Sequence, residues 1–345
     1  MRMRTKFRLN QKYIPILATI IVCIVLYVVA GLMYPAFFSL DVLVNFFYDN
    51  SFTGIAAVGM TFVILAGGID LSVGSMLAFV GVFTASLVEK NHVYPFIVLP
   101  LALVMGSFLG FIMGCIIQYF KSPPFIVTLA GMFFARGLGN LISLESIPIF
   151  HPFFKAIINT GIPLTQDVAF PLLAVIFLAV LGAGIYVAQY TQFGRNVYAL
   201  GGNEQSALLL GVPVARTRIL VYTLSGFTAA LAGVVYTLYT SAGYGLAGSG
   251  FEMDAIASVV IGGTLITGGV GFVAGTLIGV LIQGVIQTFI MFQGTLSSHW
   301  TRIVIGLLLF IFILLQRFLS GMRIKARDSR GEPTGTPGDT PVARN

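Results

Sequence analysis

The chain has 345 residues, 57% of them hydrophobic and only 9% charged, with a mean hydropathy of +0.96. That composition cannot present an ordinary water-facing surface, so a soluble domain is excluded and a polytopic membrane protein is expected. The net charge of +7 is read as a topology signal and not as a mark of nucleic acid or another acidic partner, because of where the cations fall along the chain.

In chain order, the basic start MRMRTKFRLNQK precedes an apolar run of 21 residues, Ile14 to Tyr34, which is too long for a secretory signal core and long enough to cross a bilayer. It reads as an uncleaved first helix behind a basic tail, residues 1–13. Cutting the later runs to a length that crosses about 30 Å of hydrocarbon completes ten expected spans. These are 14–34, 51–67, 71–88, 95–117, 125–142, 169–189, 219–242, 254–268, 271–292 and 300–319, with nine or eleven still compatible with the same runs. Pro95, Pro123, Pro124 and Pro171 mark span starts, where a missing N–H costs little, and Trp300, the single Trp, falls at a span edge. An even count puts both termini on one side, which then receives 15 of the 19 Lys and Arg residues and is predicted to be cytoplasmic. The polar, Pro- and Gly-rich end, residues 320–345, is expected to be a disordered cytoplasmic tail behind a transmembrane domain of 14–319.

Two segments are alike: VMGSFLGFIMGCIIQYF (104–120) and VAGTLIGVLIQGVIQTF (273–289) share a glycine pair (Gly106, Gly110; Gly275, Gly279) and a later glutamine (Gln118; Gln287). The expected topology runs them in opposite directions, as in an inverted repeat. The same glycines serve close helix packing, which is the plainer reading.

Polar groups inside apolar runs are the candidates for function. Asp70, in VILAGGIDLSVGSMLAF, either binds something or caps a helix after a break at Gly67 and Gly68; capping through the N–H of Ser72 or Val73 is the stronger reading. Arg136 is the largest anomaly and is expected to pair or gate. Gln118, Asn140, Gln283 and Gln287 are candidate path residues, with bonding to a neighbouring helix as the structural alternative. The run 254–268 is short and carries Gly262 and Gly263, a pattern that points to gates in transporters.

No Lys follows a Gly anywhere, so the chain has no Walker A loop and any ATP drive must come from another polypeptide. His92, His151 and His299 fall in predicted outer loops without metal-ligand spacing, and Cys23 and Cys115 lie in apolar runs; no metal site or catalytic constellation is recognisable. The informative polar segment is FGRNVYALGGNEQSALLLGVPVARTR, 193–218. After Gly201 and Gly202, Asn203 is a good N-cap, Glu204 places charge in the first turn, and Gly211 before Pro213 is a stop. A helix of about two turns is marginal alone, so Ala207 and the three following leucines need a surface to dock on.

ALGGNEQSALLLGV resembles the coupling-helix segment of ABC importer permeases, and GMTFVILAGGIDLSVGS resembles their ribose, xylose and galactose branch; the likeness runs from about Ile14 to Phe318. ESIPIFHP (145–152), DAIASVVIGGTLITGGVG (254–271) and GTLSSHWTRIVIGLLLFIFILLQR (294–317) look particularly like a permease subunit of the bacterial galactofuranose importer. The resemblance implies an all-α permease subunit, not an enzyme, in a bacterial inner membrane. It implies an ABC ATPase that uses ATP and Mg, a second and different permease chain, and a periplasmic sugar-binding protein as partners, with no cofactor on this chain. Gly201, Asn203, Glu204, Ala207 and Gly211 would then belong to the helix that sits in the ATPase groove. Ser206 departs from the alanine common at that place. The competing class is an ion- or proton-coupled secondary sugar transporter, which would need an intramembrane relay that only Asp70 and Arg136 could supply.

Overall fold

Apolar stretches this long must satisfy their own backbone in a bilayer, and helices do so within one segment. The computed structural model describes residues 14–297 and 299–328, and these form fourteen α-helices with a few two- and three-residue strands. In order they are α1 (Ile14–Met33), α2 (Leu40–Asp49), α3 (Ser51–Leu65), α4 (Val73–Ala85), α5 (Pro95–Tyr119), α6 (Pro124–Ile142), α7 (Pro152–Ile158), α8 (Leu172–Tyr190), α9 (Gln192–Gly202), α10 (Glu204–Leu209), α11 (Val214–Thr240), α12 (Phe251–Ile261), α13 (Val273–Gln293) and α14 (His299–Asp328).

Each of the ten expected spans contains a helix. Seven helical segments among the described residues are long and apolar enough to cross a membrane, while α3 and the apolar part of α14 are shorter and α12 has only 11 residues. Three boundaries are corrected. The second span ends at Leu65, not 67, and the eighth is a helix over 251–261 rather than 254–268, because Gly67 (φ +81°) and Gly263 (φ +93°) adopt left-handed backbone that ends a helix. The last helix runs through Asp328, so residues 320–328, expected to be disordered, are helical; residues 1–13 and 329–345 lie outside the described residues.

α11 is the central post, 27 residues and about 40 Å long. α5 packs along it through Gly106, Gly110 and Gly114, which face Gly226, Ala230 and the Ile219–Tyr222 turn, so small residues let two backbones approach where lipid gives no hydrophobic drive. α3 runs antiparallel to α11: Phe52 meets Tyr236 edge-on and Tyr239 at a tilt, and Gly59 lies beside Ser225 and Thr228. α4 then returns parallel to α11, with Gly81 beside Thr237 and Gly233 beside Leu77. α12 and α13 form a second pair of the same kind, joined by residues 262–272 and packed through Ser258 and Gly262 against Gly279 and Gly275. Thus α5 descends toward the face that carries α9 and α10 while α13 rises from it, the opposite directions that the sequence comparison expected of the two Gly-spaced segments.

Candidate functional site

The 190–218 region holds two helices where one was expected. In α10 the expected signals appear as geometry: the Asn203 side chain accepts the Ser206 N–H at 2.8 Å, Gly211 is left-handed at φ +75°, and Gly211 and Val212 donate to the carbonyls of Leu208 and Ala207 at 3.0 Å each. Ala207 is buried against Leu200 and Val214, whereas Leu209 and Leu210 are 90% and 81% exposed. Glu204 pairs with Arg218 of α11, and Arg218 also donates to Gln118 Oε1 of α5 at 2.9 Å, so α10 is fastened to two long helices. Gln118 therefore sits at the α10 face of the molecule, with Gly67, Gly68 and Tyr222 around a cavity of about 640 Å³.

α9 was missed from the sequence, and it makes the connection inward. The two helix breaks, 66–72 and 262–272, meet each other at its end. Gly269 N–H donates to Leu65 O at 2.9 Å, Tyr198 Oη of α9 donates to Gly271 O at 2.9 Å, and Gly201 lies against both. A methyl on Gly201 would stand 1.8 Å from Leu65 O and 2.7 Å from Gly269 N, so this approach admits hydrogen alone. The signal for this junction was in the chain: GGIDLSVGS (67–75) and GGVGFVAGT (268–276) match at three glycines with Ile/Val, Leu/Phe and Ser/Thr exchanges, and both begin on a left-handed glycine.

Asp70 is fully buried in the first break. Its Oδ1 accepts from Ser72 N–H (2.9 Å) and Ser72 Oγ (2.6 Å), and its Oδ2 accepts from Ser225 Oγ of α11 (2.7 Å). A buried carboxylate is retained only when its lone pairs are satisfied, and here the bonds tie the break to the central post. Gly68 lies against the hydroxyl end of Tyr222, and among the described residues the Tyr222 hydroxyl has no hydrogen-bond partner.

The remaining candidates fall in separate places. Arg136 on α6 donates through Nη1 to Gly245 O and Ala247 O, both at 2.7 Å, and Asn140 lies one turn on beside Gly245. These two residues pin the loop between α11 and α12, which dips to Gly74 of α4. Gln283 donates to Asp254 O at 2.9 Å and, with Gln287, lines a second cavity of about 640 Å³ at the face remote from α10. Gly262 caps α12 and packs on Gly275, and Gly263 turns the chain into the second break.

The chain is thus an all-helical bundle of several candidate spans whose two broken-helix turns rest on a short loop helix. A family model described as "Branched-chain amino acid transport system / permease component" matches residues 42–313. The chain is 52% identical over 310 residues to the inner membrane ABC transporter permease protein YjfF of Escherichia coli K12, covering 90% of this chain and 94% of that one. It is 38% identical over 319 residues to the fructose import permease protein FruG of Bifidobacterium longum (90% and 93% covered) and 38% identical over 309 residues to the ribose import permease protein RbsC of Haemophilus influenzae (88% and 94% covered). No solved structure matches it significantly. The chain belongs to this permease family, in its ABC sugar-transporter branch.

Proposed function

We propose that this chain is the membrane subunit of a bacterial inner-membrane importer that accepts a monosaccharide from a periplasmic binding protein and releases it to the cytoplasm. ATP and Mg are used on a separate ATPase chain. The observation that carries the reading is the exposed Leu208–Leu210 edge of α10, rigidly backed by the Glu204–Arg218–Gln118 chain and continuous through α9 with the glycine junction. Residues 203–211 form the docking element, and a displacement of α10 reaches both broken-helix turns together. The α10 face is cytoplasmic, as are both termini.

Galactofuranose is the sugar we infer, with a second, different permease chain completing the path. The support is the likeness of 145–152 and 294–317 to a galactofuranose importer subunit. The first stretch and the start of the second lie at the remote face, where a binding protein would dock: Phe150 and His151 N–H donate to Glu89 Oε1 at 2.6 and 3.0 Å, and Gly294, Leu296, His299, Thr301 and Arg302 contribute to the cavity wall. The buried, serine-satisfied Asp70 and the carbonyl-bound Arg136 do not resemble a proton relay, which disfavours the secondary-transporter alternative.

A cysteine at position 209 (Leu209→Cys) tests the docking element. It should cross-link to the ATPase chain of the complex, and Thr165→Cys on the remote face should not. Equal cross-linking from both would sink the assignment.

A further inference from the structure

The cavity at the remote face combines polar, charged and aromatic side chains. It holds about 640 Å³, within the range of roughly 300–1,000 Å³ that small-molecule sites occupy. Its wall combines the Phe52 and Phe251 rings, 5.9 Å apart and nearly parallel, with Asp49, Asp254, Gln283 and Gln287. The cavity between α4, α5 and α6 is lined almost wholly by aliphatic and Met side chains with Phe134, and the one at the α10 face belongs to the coupling apparatus.

Several of the polar groups keep bonding capacity. Asp49 Oδ1 accepts one bond from Tyr239 at 3.1 Å, and Gln283 spends an N–H on Asp254 O, leaving its side-chain oxygen. Among the described residues the Asp254 carboxylate and the Gln287 amide make no hydrogen bond, and Gln287 is exposed to the cavity. Arg302, also in the wall, sets one cation against the two carboxylates and offsets part of their charge. A neutral ligand rich in hydroxyls suits that set: each carboxylate accepts two O–H bonds, each amide donates and accepts, and the rings cover C–H surface. An ion would find too many neutral donors, and an apolar ligand would strand the polar ones.

We propose that this cavity is a monosaccharide-binding site within the permease chain itself, with Asp254 and Gln287 as hydroxyl-binding groups and Phe52 and Phe251 as its apolar wall. The proposal rests on the importer reading and adds a defined resting place for the sugar between delivery and passage. The lining residues come mainly from the end of α2 and from the parts of α3, α12, α13 and α14 farther from the glycine junction, so the site lies on the delivery side of the moving parts.

Trp300, the chain's only Trp, stands between the lining residues His299 and Thr301 and gives a direct reporter. The full chain in proteoliposomes is titrated with D-ribose, D-fructose and D-galactose, with L-leucine as the contrasting solute. Emission should change saturably with at least one sugar at a midpoint of about 1 mM, the weak range that lets a transported ligand leave. Asp254→Asn and, separately, Gln287→Ala should raise that midpoint about tenfold, the loss of one hydrogen bond. The proposal is overturned if no sugar gives a saturable change, if leucine matches the sugars, or if both variants titrate like the wild type. Gln287 is exposed, so its variant tests the site even where Asp254→Asn fails to fold. Sugar uptake by the complete wild-type complex separates the two levels: no uptake removes the importer reading, whereas uptake beside an unmoved Trp300 titration removes the cavity alone.

Discussion

Adding one methyl at Gly201 probes the glycine junction most sharply. In Gly201→Ala the new Cβ would stand 1.8 Å from Leu65 O, and contacts under 3.0 Å do not occur, so the junction must open by roughly 1.2 Å. Both neighbours are backbone, so no side chain can rotate away. The Leu65 carbonyl also accepts the Gly269 N–H, and moving it loosens the bond that holds the two breaks together. Overpacking costs about 1–3 kcal/mol and the weakened hydrogen bond about 1 more, offset by about 0.5–1 from replacing a helical Gly with Ala. The net loss is about 1–3 kcal/mol, concentrated where α9 meets both turns. The adjacent Gly202 has open space at its Cβ position, so Gly202→Ala keeps only the propensity gain. In the reconstituted complex Gly201→Ala should lower ATP-driven uptake about tenfold, equivalent to about 1.4 kcal/mol in the coupled step, with ATPase docking retained; Gly202→Ala should stay within about twofold. Equal behaviour of the two alanine variants would refute the reasoning.

Three further outcomes follow from the same contacts. Asp70→Ala strands the Ser72 N–H and the Ser225 hydroxyl, at about 1–3 kcal/mol each, and should lower the thermal midpoint and uptake together, whereas Asp70→Asn keeps an acceptor and most of the transport. Arg136→Met leaves two carbonyls without their charge-assisted donor, worth about 1.5–3 kcal/mol per bond, and should raise hydrogen exchange in residues 244–250 while sparing α9 and α10. Asn203→Ala removes the cap of α10 at about 0.5–2 kcal/mol and should weaken ATPase co-purification, with Asn203→Asp restoring it.

The helices were largely legible because the bilayer makes length and apolarity nearly sufficient, and the prolines at 95 and 124 begin their helices as read. The α10 cap and stop were legible for the same reason, being local: Asn203 bonds a group three residues away and Gly211 needs a left-handed φ. What was hidden is non-local. Arg136 finds carbonyls more than a hundred residues away, so no partner charge marked it in the sequence. Gln118 was grouped with Gln283 and Gln287 as polar anomalies in apolar runs, yet it lies at the opposite face bound to Arg218. Gly201 and Gly202 read alike as helix punctuation, and only the fold distinguishes the one pressed against Leu65 from the one facing open space. The repeat chosen from the sequence paired 104–120 with 273–289, while a second likeness, 67–75 with 268–276, spans the two turns that touch.

We infer that ATP hydrolysis on a partner chain drives this permease through α10. The most direct test is radiolabelled sugar uptake into vesicles holding this chain with an ATPase chain, a second permease and a binding protein. Uptake that requires ATP inside the compartment reached by α10, survives collapse of the proton gradient and stops when the ATPase is omitted is the expected result. Uptake by this chain alone that continues without ATP and collapses with the proton gradient would contradict it.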